Sequence, residues 1–210
     1  MRLTDSRNPP YRPPMAPYRN DMDDVMEFVA RWRSPHSGRP SGYYRLARSR
    51  FGNVNATGEP AAYSAPDLTP HDAQWLQCIE EGVRPLVRAA VGRGWVTYNS
   101  CAGHVYAELP LRPACREIGV LPVDDDVADD VRETLVRLAR TVEDGQRLPA
   151  AVDLQVWRNG LRCLASGRTF DVYDVVLAPA AGRSVDDYFQ AVGDATATIA
   201  SMLATTHRPT

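Results

Sequence analysis

Cys101 and His104 stand close together in the run Asn99-Ser100-Cys101-Ala102-Gly103-His104. A thiol is a nucleophile only as its thiolate, and a neighbouring imidazole can take the proton. Contact between the two side chains across a turn is sterically open at this spacing. Gly103 admits a backbone angle denied to other residues. Small residues also let the amides of Ala102, Gly103 and His104 face an anion or a developing oxyanion. The expectation is a ligand-binding or thiol-based active site at this turn. Cys101 and His104 would be its catalytic pair, with Asn99, Ser100 and Gly103 binding ligand. The competing reading is a tight hairpin turn with Cys101 as a small buried apolar residue and His104 on the surface.

Other candidates lie further off in the chain. His71 follows the Gly/Pro-rich segment Gly52–Leu68 and is expected to close over the site with it. Arg158 and Arg162 flank Asn159-Gly160 and offer guanidinium forks to phosphate or carboxylate. A solvated hairpin tip explains the same two arginines. Cys101, His104 and Cys115 have ligand-type side chains, but zinc needs three or four in a set. Neither His71 nor Cys78 makes the second pair, so no metal site is assigned. The residues identify no cofactor. No Rossmann glycine fingerprint, P-loop, Gly-x-Ser-x-Gly elbow or His-Glu-x-x-His helix occurs.

Thr97-Tyr98-Asn99-Ser100-Cys101-Ala102-Gly103-His104 resembles the Ser-Cys-Ser-Gly-Arg loop of the wybutosine-synthesising tRNA methyltransferases. Those are α+β proteins that use S-adenosylmethionine. The resemblance covers only this turn, and His104 stands where the family has arginine. It implies RNA modification as an alternative class. The segments Tyr11–Arg19 and Tyr43–Arg50 interleave aromatic and cationic residues, as single-strand nucleic-acid binders do.

The charge balance opposes a general nucleic-acid role. The chain has 210 residues and a formal charge of −2. Residues 1–66 carry ten arginines against six acids, and residues 67–210 carry fourteen against twenty. There is no lysine, so every cation is a fork that never titrates. No stretch is apolar enough for a signal peptide or a membrane span. A soluble cytoplasmic protein is expected, with its four cysteines reduced.

Residues 1–66 read as a Pro/Arg-rich arm, a short helix over Asp21–Arg33 and loops. The arm Met1–Asn20 has five prolines and cannot build a core; it either stays disordered or lies across a domain or partner. Met22, Val25, Met26 and Val29 would form the helix's inner face. Tyr43–Phe51 is a weak strand.

Residues 67–210 read as one α+β domain. Thr69-Pro70-His71-Asp72 opens a helix that Gly82 and Pro85 break near Glu81. Strands follow on both sides of the Asn99–His104 turn, and a third spans Arg116–Pro122. Asp124-Asp125-Asp126 starts a helix with the stripe Val127, Val131, Leu135, Leu138, Val142, which Gly145 ends. Val152–Trp157, Leu161–Ala165 and Thr169–Ala178 form a meander whose first turn is Asn159-Gly160. Ser184-Val185-Asp186-Asp187 caps the last helix.

The fold expected is a mostly antiparallel sheet of about five to six strands with three main helices on one face. The partners expected are an anionic small molecule at the turn and a protein met through the N-terminal arm. A non-catalytic interaction module is the alternative function.

Overall fold

The computed structural model describes residues 4–5, 21–22, 24–34, 47–49, 52–54, 69–72, 75–103, 115–145 and 147–205. Among the described residues, thirteen elements follow in order: β1 (Thr4–Asp5), β2 (Asp21–Met22), α1 (Val25–Arg33), β3 (Ala47–Ser49), β4 (Gly52–Val54), α2 (Trp75–Cys78), α3 (Arg84–Gly92), β5 (Val96–Cys101), β6 (Arg116–Leu121), α4 (Asp125–Gly145), β7 (Val152–Cys163), β8 (Thr169–Pro179) and α5 (Val185–Thr205). The main sheet has the order β1-β7-β8-β6-β5, with β2 also on β7. Pairings among β5, β6, β8 and β7 are antiparallel; β1 and β2 join β7 in parallel. The fold is α+β.

Helices α4 and α5 form where their apolar period and caps agree. Val131, Leu135 and Leu138 of α4 are buried, and the Asp124 carboxylate accepts the Val127 amide at 2.9 Å. In α5, Tyr188, Val192, Ile199 and Leu203 line the buried face. Ser184 and Asp187 cap each other's amides at its start, satisfying donors that the first turn leaves open. With Leu86, Val87 and Ala90 of α3, these side chains share one core with Ile118, Val120, Val156, Val175 and Leu177 of the sheet.

Strand β7 buries different sides along its length. Val152 and Val156 are buried near its start, whereas Leu161 and Cys163 are buried near its end. Positions of opposite parity face opposite sides of a sheet, so the strand changes its buried face part-way. Val25, Phe28, Val29 and Trp32 of α1 belong to the same core.

Four local expectations are corrected. The Asn159-Gly160 pair makes no turn: β7 runs unbroken through it, with Asn159 opposite Val172 and Gly160 opposite Asp171. Pairing along the whole of β8 outweighs the local hairpin preference, and the real turn uses Gly167 at φ 69°. Asn99–Cys101 likewise lies in a strand, because β5 pairs with β6 as far as Cys101↔Glu117. The helix expected from Thr69 starts instead at Trp75. Asp72 accepts the Thr69 amide at 2.8 Å and closes a turn there.

In α1 the cap is Asp24, which accepts the amides of Met26 and Glu27, and the inner face is Val25, Phe28, Val29 and Trp32. Met26 is 59% exposed. The Trp32 ring meets Phe28 and, edge-on, Trp75, and these large rings set which side of α1 faces inward.

The strand expected at Val105–Leu109 lies outside the described residues. So do most of the arm and residues 55–68, including the greater part of the Gly52–Leu68 loop. Tyr11–Arg19 also lies outside, and of Tyr43–Arg50 only Ala47–Ser49 is described.

Candidate functional site

The register of β5 against β6 jumps between Thr97↔Val120 and Asn99↔Gly119. Tyr98 is therefore the extra residue of a β-bulge. A bulge re-aims side chains that regular pleating would send to opposite faces. Here two consecutive residues reach two acids. The Tyr98 hydroxyl donates to Asp174 Oδ1 at 2.6 Å, and the Asn99 amide donates to Glu117 Oε1 at 3.0 Å. Asn159 donates to the second oxygen of Asp174.

The acids come from adjacent strands. Glu117 registers with Val176, and Gly119 with Asp174. Glu117 and Asp174 are thus diagonal neighbours on one sheet face. Gly119 leaves the room this needs. A Cβ there would lie 2.4 Å from Tyr98 Cε1 and 3.0 Å from Asp174 Oδ1.

Both carboxyl groups resist ionisation. Burial, and next the negative charge of Asp174, push Glu117 up to about 7, against the lowering effect of the Asn99 hydrogen bond. Burial also raises Asp174, although Tyr98 and Asn159 oppose it. The two residues keep intermediate surface exposure.

The Cys101-Ala102-Gly103 segment continues from the same strand. Gly103 takes φ 84°, the left-handed angle its lack of a Cβ permits. Its amide donates to Cys101 Sγ at 3.4 Å. The Ala102 amide donates to the Glu80 carboxylate. Arg116 Nε donates to the Ala102 carbonyl at 2.9 Å, while its Nη1 reaches Thr196 Oγ1 at 2.8 Å. The Arg116 amide donates to the Tyr188 hydroxyl at 2.9 Å, which donates onward to the Leu177 carbonyl at 2.7 Å. Arg116 thereby ties the end of β5 to α5.

The expected site residues divide as follows. Asn99, Ser100, Cys101 and Gly103 fall at the end of β5, with Asn99 drawn to Glu117. His104 lies outside the described residues. His71 hydrogen-bonds the Trp32 carbonyl at 3.0 Å through Nε2. Arg158 pairs with Asp171, and Arg162 pairs with Asp21 at 3.1 Å. Of the amides expected to face an anion, those of Ala102 and Gly103 are engaged within the chain.

Cys101, Cys115 and Cys163 are free thiols. Burial, then the charge of Glu117, raises Cys115 to about 11, which keeps it in the unreactive thiol form at neutral pH. Among the described residues, no three His, Cys, Asp or Glu side chains are grouped to hold a metal ion. No helix among them is long and apolar enough to cross a membrane. A shallow depression of about 390 Å³ between Ala151 and α5, lined by Arg183, Asp187, Gln190 and Asp194 among others, contains none of the candidate residues.

Tyr98, Glu117, Gly119 and Asp174 escaped the sequence reading. Their signal was an acid beside an apolar run: Glu117 ahead of Ile118 in Arg116–Leu121, and Asp174 ahead of Val175-Val176-Leu177. No family model matches the chain, and neither curated proteins nor solved structures include a significant match to it.

Proposed function

We propose that the chain binds a small polar ligand at the end of β5, where Asn99–Gly103 meets the Glu117–Asp174 pair, and that Cys101 lies within reach of that ligand. The observation that carries this reading is the bulge at Tyr98. It turns two successive donors onto two desolvated acids. A sheet face needed only for packing is more stable when apolar, because charged groups lose their hydration on burial. Groups held at such cost with shifted pKa values are concentrated at functional sites.

The chemistry favours a ligand that brings a hydrogen-bond donor or a positive charge. The engaged Ala102 and Gly103 amides and the two carboxyls make an anion the poorer fit. A carboxyl that titrates near neutrality can both accept and release a proton. The register sets Cys101 opposite Glu117. In this reading the Cys101 thiol stands at the same end of β5 as the bound ligand.

Two measurements test the reading. Methylammonium and guanidinium, used as ligand fragments, should shift the side-chain amide NMR signals of Asn99 and Asn159, and acetate should not. Iodoacetamide should alkylate Cys101 in the native chain ahead of Cys115 and Cys163, as mapped by mass spectrometry. Silent amide signals with all three ions, together with Cys101 labelling only after denaturation, would sink the proposal.

A further inference from the structure

The outer edge of β7 is met twice by the N-terminal segment. Thr4 and Asp5 pair with Trp157 and Arg158; Asp21 and Met22 pair with Arg162 and Cys163. Both pairings are parallel. Sixteen positions of the N-terminal segment pass from Asp5 to Asp21 while β7 advances only four. Pro9, Pro10, Pro13, Pro14 and Pro17 all fall between the two contacts. Proline has no amide hydrogen to give a ladder.

The two contacts are anchored differently. Asp21–Met22 leads directly into α1, whose Val25 and Phe28 are buried. The Leu164 amide donates to the Met22 carbonyl at 2.9 Å. Arg162 grips both carboxylate oxygens of Asp21, each at 3.1 Å. Thr4–Asp5 joins this anchor only through the proline-rich stretch.

One chemical feature repeats. Each contact sets an aspartate in register with an arginine of β7: Asp5 with Arg158, and Asp21 with Arg162. Arg158 and Arg162 are an even number of residues apart, so both belong to the same strand face. Arg158 also pairs with Asp171 of β8, which an incoming carboxylate would have to share.

We infer that the β7 edge beside Trp157–Arg158 accepts an extended peptide strand, parallel to β7 and carrying a carboxylate in register with Arg158. Thr4–Asp5 is the chain's own tethered occupant and is displaced on binding. Main-chain hydrogen bonds supply affinity in such strand addition, and the side chain in register supplies selectivity. A two-residue strand is a weak occupant, and its tether keeps it in competition as a local effective concentration. This inference develops the interaction reading of the N-terminal arm. It uses another edge of the sheet from the small-molecule site and fails separately from it.

The test uses the full chain and a fluorescein-labelled peptide with the sequence of residues 1–8, read by fluorescence anisotropy. Asp5→Arg in the chain weakens the tethered occupant, so this variant should bind the peptide about tenfold tighter than the wild type, roughly the worth of one charge-assisted contact. Changing the peptide's aspartate to asparagine, or Arg158→Gln in the Asp5→Arg chain, should remove that gain. Equal binding by wild type and Asp5→Arg, or indifference to the peptide's aspartate, would overturn the inference. So would a wild-type dimer by light scattering that dissociates in Asp5→Arg, which would assign the edge to a second copy's arm. Binding that follows the expected order, with both chains monomeric, establishes the edge as a peptide site.

Discussion

Tyr98 and Asp174 meet across an intervening strand: the hydroxyl on β5 donates to the carboxylate on β8 at 2.6 Å, passing over Gly119 of β6. The contact depends on the bulge that places Tyr98 and Asn99 over neighbouring acids and on a residue in β6 without a side chain. Each of these features can be altered separately.

Gly119→Ala puts a methyl group where the Tyr98 ring lies. The tyrosine must move, and the Asp174 hydrogen bond with it. Overpacking of this kind costs about 1–3 kcal/mol. Urea denaturation should show a lower midpoint with little change in slope. Tyr98→Phe, which keeps the ring and deletes the hydrogen bond, should cost on the order of 1 kcal/mol.

The acid pair gives stability a definite pH dependence. Glu117 titrates at about 7 in the folded chain against an ordinary 4.5, and Asp174 is shifted in the same direction. The folded state therefore holds more protons than the unfolded state between those values. This contribution is fully present below the unfolded pKa and is lost as pH rises through the folded one. Denaturation midpoints should fall from pH 5 to pH 8 through this term, and Glu117→Gln should flatten the trend. An unchanged pH slope in the variant would refute the assignment to Glu117.

Arg93 and Asp130 pair at 2.7 Å with side-chain exposures of 7% and 12%. Trp95 Nε1 donates to the other Asp130 oxygen at 2.7 Å, and Thr134 accepts from Arg93 at 2.9 Å. This cluster joins the end of α3 and the start of β5 to α4. Removing one partner strands a buried charge, so Asp130→Ala should cost about 3–5 kcal/mol. Calorimetry should record the loss as a lower Tm.

Arg116→Ala removes the donors that hold the Ala102 carbonyl and the Thr196 hydroxyl. Unsatisfied groups of this kind cost on the order of 1–3 kcal/mol. The Cys101–Gly103 segment should loosen as well. Iodoacetamide labelling of Cys101 should then be faster than in the wild type under native conditions, while the buried Cys163 stays protected.

The sequence by itself determined the helices α4 and α5, the strand β6 and the α+β class. Their signals lie within a few residues of one another: Asp124 and Ser184 as caps, the apolar stripe of Val131, Leu135 and Leu138, and the apolar run after Glu117. Tertiary pairing decided the rest. Asn159-Gly160 has the local chemistry of a turn, yet β8 pairs with both residues and holds them in a strand. Asn99–Cys101 gave the same appearance and is held straight by β6. The Glu117–Asp174 pair is the clearest case, because its two acids are distant in the chain and adjacent only through the β6–β8 register. Caps and periodicity act within a turn or two of backbone and can be read along the chain. Strand partners, register and bulges are set by the burial of whole faces, and only the assembled sheet reveals which side chains they bring together.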